Sequence, residues 1–72
     1  MRVETSMLAR DHVAYVGSSE QNAAEFRQYE TIYDHFYFYL TKVRGLLPDT
    51  ARGIVDDFEA DLQRQPDTID DD

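Results

Sequence analysis

The chain contains two histidines, and each directly follows an aspartate: Asp11-His12 and Asp34-His35. A carboxylate beside an imidazole is the pairing that general acid–base chemistry uses to orient the ring. Neighbours in sequence do not face each other on a helix, however, and His35 falls on the polar side of the helical pattern described below. Both histidines therefore read as solvated surface groups. Metal chemistry fares no better. A di-iron bundle needs Glu three residues before His on two helices, and those positions hold Ala9 and Ile32. Glu30 and Asp34 share a helix face, which reads as a solvated pair. Asp67, Asp70, Asp71 and Asp72 lack the glycine and spacing of a calcium loop. Ser18 and Ser19 have no base at nucleophile spacing, and no glycine loop can cradle a phosphate. The residues predict a protein that is not an enzyme, with no cofactor and no metal.

Composition narrows the setting. Seventy-two residues make one domain, and a chain of that size buries only roughly 60% of the surface its unfolded form exposes. There is no cysteine to staple it, so a second subunit is the natural supplement. No apolar run reaches the roughly 18 residues that span a bilayer. "MRVETSMLARD" has charges where a secretory leader needs an apolar stretch. The expectation is a cytoplasmic protein that does not touch a membrane. The formal net charge is −8, with ten Asp, five Glu, six Arg and one Lys. An acidic field repels nucleic acid, so direct nucleic-acid binding is disfavoured. An Asp-rich, Lys-poor surface also fits a halophilic host with high internal salt, where screening shortens the reach of charge.

The elements that must position these residues are helical. "SSEQ" has the capping-box form, with Ser18 accepting from the Gln21 amide. From there Phe26, Tyr29, Tyr33, Phe36, Leu40, Val43 and Leu47 step 3, 4, 3, 4, 3, 4, which is a heptad seam. The spacing predicts one long helix over about 18–44. Gly45 sits where a left-handed residue closes it, with Leu46 folding back on Leu40. A second helix is predicted over about 49–65, capped by Asp49 and stopped by Pro66. Its stripe is Ala51, Val55, Phe58 and Leu62, widened by Ile54. The short "GLLP" link implies an all-α antiparallel helical hairpin, with a short N-terminal helix or arm within residues 4–16. Residues 1–66 would form the domain and 67–72 an acidic disordered tail.

Phe36, Tyr37, Phe38 and Tyr39 are four consecutive aromatics, and no helix sends four successive side chains to one side. A hairpin covers one seam only. The remainder predicts an interface formed by Phe26, Tyr29, Ile32, Tyr37, Phe38 and Tyr39, most simply in a homodimer that forms a small bundle. A separate acidic face gathers Asp49, Asp56, Asp57, Glu59 and Asp61 on the second helix. The reading is a small acidic helical interaction module of adaptor, antitoxin or inhibitor type, acting on another protein. Two alternatives are kept. One is a nucleic-acid-mimicking inhibitor, whose carboxylates would imitate phosphates, although Arg52 and Arg64 interrupt the run. The other is a salt-adapted acidic DNA-binding regulator, although its arginines are scattered.

Overall fold

The structure, a computed structural model, describes residues 2–64. These residues are all-α, with no strand among them. Helix α1 spans Val3–Gly17, α2 Glu20–Arg27, α3 Ile32–Phe38 and α4 Pro48–Arg64; a π-helical turn, Tyr39–Val43, continues α3. The predicted acidic tail, 67–72, lies outside the described residues.

One element extends the sequence expectation, a helix within residues 4–16, and one departs from it. The N-terminal segment is a full helix, because Thr5, Leu8 and His12 recur at steps of 3 and 4 and are buried together. It ends at a cross-linked turn. The Tyr15 carbonyl accepts from the Ser18 amide (3.2 Å), the Ser18 hydroxyl (2.8 Å) and the Asn22 side-chain amide (3.0 Å). Ser18 therefore closes α1, and Ser19 is the N-cap of α2, accepting from the Asn22 amide at 3.1 Å.

The predicted long helix is also broken. After Gln28 the chain leaves helical geometry, and α3 begins behind Thr31, whose backbone is extended (φ −135°, ψ 161°) and whose hydroxyl caps the helix by accepting from the Asp34 amide at 3.2 Å. The heptad seam consequently does not run the full length. Phe36 and Leu40 are fully buried, whereas Leu47 is 72% exposed and Val43 is exposed as well. The π turn contributes to that change, since one extra residue per turn rotates the register. Its mark is the Arg44 amide donating to the Tyr39 carbonyl, five residues back, at 3.0 Å. The Thr41 hydroxyl donates to the carbonyls of Tyr37 (3.0 Å) and Phe38 (3.3 Å) within the widened stretch. Gly45 then adopts φ 75°, and the Leu46 amide returns to the Leu40 carbonyl at 2.9 Å. This is the expected closing motif, displaced by the wider turn.

Helix α4 begins one residue before the predicted cap. Pro48 occupies its first position, where a missing N–H costs nothing, and the Leu47 carbonyl accepts from Ala51 at 2.9 Å. Asp49 sits in the first turn instead of capping. Ala51, Ile54 and Phe58 are buried, with Val55 and Leu62 packed beside them, as their spacing predicts.

The four aromatics are shared among three neighbours. Phe36 meets Phe58 of α4 edge-on at 5.0 Å. Tyr37 packs at the edge of the core and borders a groove with Arg52 and Asp56 of α4. Phe38 lies 5.8 Å from Tyr29 in the 28–31 segment. Tyr39 turns to α1, 5.1 Å from Tyr15 and 5.4 Å from His12.

The break between α2 and α3 has a direct test. Thr31→Ala removes a cap and is expected to destabilise the protein by about 1 kcal/mol in chemical denaturation. In an uninterrupted helix the same change would be neutral or stabilising, because alanine is the better helix former.

Candidate histidine site

Both histidines are buried, His12 at 2% exposure and His35 at 0%. This corrects the expectation of solvated surface groups. On α1, His12 lies between Leu8 and Tyr15 at steps of 4 and 3, on the stripe that faces inward. Along α3 and its π turn two adjacent stripes are buried, one through Phe36 and Leu40 and one through His35 and Tyr39. Phe36 faces α4 while His35 and Tyr39 face α1 and α2. The preceding aspartates take no part: Asp11 is exposed and lies 3.6 Å from Arg44, and the Asp34 side chain is exposed.

The two imidazoles are joined directly, with His12 Nε2 and His35 Nδ1 2.8 Å apart. Beyond them, His35 Nε2 lies 3.5 Å from Glu25 Oε1, and the Tyr15 hydroxyl donates to the same oxygen at 3.2 Å. One assignment of protons satisfies every contact. Tyr15 O–H and His35 Nε2–H both donate to the Glu25 carboxylate, which leaves His35 Nδ1 to accept from His12 Nε2–H. A chain of polar groups thus runs from the core to Glu25, whose side chain is 35% exposed.

Aromatic rings enclose the pair. Phe36 lies 5.0 Å and Phe26 6.0 Å from His12. Around His35 stand Tyr29 (5.1 Å, edge-on), Phe26 (5.2 Å, edge-on) and Phe38 (5.4 Å). Burial first, and the charge of His35 second, push the His12 pKa down from 6.5 to about 4. Burial, then the charge of Glu25 and the hydrogen bond to it, raise the Tyr15 pKa above its usual value. His12 also borders an apolar groove of about 340 Å³ lined by Val13, Val16, Gly17, Phe26 and Ile32.

The aromatic residues assigned to an interface are therefore used largely within the chain. Tyr39 is buried, which removes it from any surface. Phe26, Tyr29 and Phe38 wall the histidine pair, and Ile32 and Tyr37 are half-buried against the core. The acidic residues of α4 do not form one bare face. Asp49 and Asp56 are exposed. Asp57 turns to α1, accepting from the Arg2 amide at 3.1 Å with the Arg2 guanidinium 3.6 Å away. That backbone bond holds the Asp57 pKa below the ordinary carboxylate value. Glu59 accepts from Gln63, and Asp61 pairs with Arg64 at 3.4 Å. Among the described residues no three His, Asp or Glu side chains gather as a metal set, and no helix is long and apolar enough to cross a membrane.

Comparison with protein-family models, with curated proteins and with solved structures returns no match to this chain.

The signal for the site was the type of the residues flanking His12. Thr5, Leu8, His12 and Tyr15 step 3, 4, 3, a stripe in which one polar ring stands among core positions. If His35 fills the core as described, His35→Ala leaves a cavity and strands the partner nitrogen. The expected cost is about 2–5 kcal/mol in urea unfolding. A solvated histidine would change stability by no more than about 0.5 kcal/mol.

Proposed function

We propose that this chain is a small acidic protein–protein interaction module, and that its first partner is a second copy of itself. The observation that supports this reading is where the uncovered apolar side chains lie. Val3 is 76% and Met7 56% exposed, and both line one groove with Leu8 and Leu46. Leu47, exposed, follows directly in the chain. The rim carries charges of both signs, Glu4, Asp11 and Arg44, as the polar border of an interface does.

In this reading α3 with its π turn and α4 form the antiparallel hairpin. Helices α1 and α2 close over it, and the N-terminal half of α1 with the 44–47 link offers the contact face. The interface thereby moves from the aromatic rings, which have intramolecular work, to side chains that have none. An adaptor, antitoxin or inhibitor role and a cytoplasmic setting belong to the same proposal. Mimicry of nucleic acid is the weaker reading, because Arg2 and Arg64 stand against two of the five carboxylates it would use.

A specific dimer should bury on the order of 1,200 Å² in total. Sedimentation equilibrium of the wild type should show dimer, and its Tm should rise with concentration by mass action. Met7→Lys with Leu47→Lys, both at exposed sites, should give a folded monomer. A monomeric wild type would overturn self-association. A dimer that survives the double substitution would return the interface to Tyr29, Tyr37 and Phe38.

A further inference from the structure

We propose that the His12–His35 pair is a proton-operated latch that holds α1 against α2 and α3 and releases it on acidification. The geometry carries this. At 2.8 Å the two nitrogens share a single hydrogen. The neutral pair keeps this bond, whereas a proton added to His12 places a charge in the core on a ring that no carboxylate touches. A second extra proton makes both facing nitrogens donors. Two N–H groups then point at each other in a dry site, and two like charges stand side by side. The rings must separate, and they sit on different helices.

The groups that face the pair are few. Helix α1 adds Tyr15, and Arg10, which borders the groove at His12. Helix α2 adds Glu25, the one carboxylate in contact. The 28–31 segment contributes Tyr29, and the α3–π helix contributes Tyr39. At this site α4 presents Phe58. Glu25 lies against His35 Nε2 and does not contact His12, so a proton taken up by His12 has no counter-charge at its ring.

The sign of the pH dependence follows. The His12 pKa is depressed in the closed state, to about 4 from 6.5. Its contribution to closure is fully present above 6.5, falls as pH drops through the window between those values, and is exhausted near 4. Each pH unit inside the window shifts the balance toward the open form up to about tenfold. Opening uncovers Phe26, Phe36 and Tyr39, an apolar surface separate from the Val3–Met7 groove.

Hydrogen exchange and imidazole NMR on the full chain test this. Between about pH 7 and about pH 5, protection factors of α1 amides should fall roughly 20- to 30-fold, with those of α4 falling much less. His12→Phe, which keeps a ring in the core, should show no such loss over the same interval. Equal loss in α1 and α4 would overturn the latch in favour of global acid unfolding. Unchanged α1 protection would overturn it outright. Should the variant not fold, the wild-type titration decides alone. A His12 midpoint far below that of a free imidazole supports the latch, and an ordinary midpoint refutes it.

Discussion

The hydrogen bond between His12 and His35 is the constraint on which the rest of the arrangement depends. An imidazole removed from water loses more than its burial returns unless its nitrogens find partners. Here each ring is the other's partner at 2.8 Å. The demand is geometric: α1 and α3 must present these residues at one height. Two further features serve it. The Ser18–Ser19 turn sends α2 back across the site, where Glu25 meets the outer nitrogen of His35 and Phe26 covers both rings. The Thr31 cap frees α3 to rotate independently of α2, so that Glu25 and His35, on consecutive helices, can approach each other.

A short chain gains from this solution because polar and apolar burial occur together. Phe36 packs on both Phe58 and His12, linking the α3–α4 contact to the histidine pair. Tyr39 does the same between the π turn and α1. The run Phe36–Tyr39 is thus the point where three packing directions meet, and successive residues supply them in turn. The outer charges add little beside this. Arg44–Asp11 at 3.6 Å is an exposed pair, of a kind worth about 0–1 kcal/mol.

Much of the fold was legible because period survives tertiary context. The stripe of Ala51, Ile54 and Phe58, the buried Phe36 and Leu40, and the Gly45 closure all follow from spacing and φ preference. The break at 28–31 was not read, since a heptad count registers positions and not backbone angles. Its signal was Thr31-Ile-Tyr-Asp34, a threonine with an acidic residue three positions on, ahead of an apolar run. His35 was misread because the seam through Phe36 and Leu40 reads in the sequence as the one inward stripe, whereas the neighbouring stripe of Ile32, His35 and Tyr39 is also covered. His12 was misread by residue type. Its place on the α1 stripe was available, but a histidine counts as polar until a partner for it is known, and that partner lies 23 positions away. The site could be found only by placing α1 and α3 together.

The most direct measurement is NMR of the imidazole nitrogens in uniformly labelled protein near neutral pH. A buried N–H···N bond predicts a slowly exchanging His12 Nε2 proton and a scalar coupling from His12 Nε2 to His35 Nδ1 across the hydrogen bond. Two imidazoles that exchange freely with water, with no coupling between them, would contradict the account.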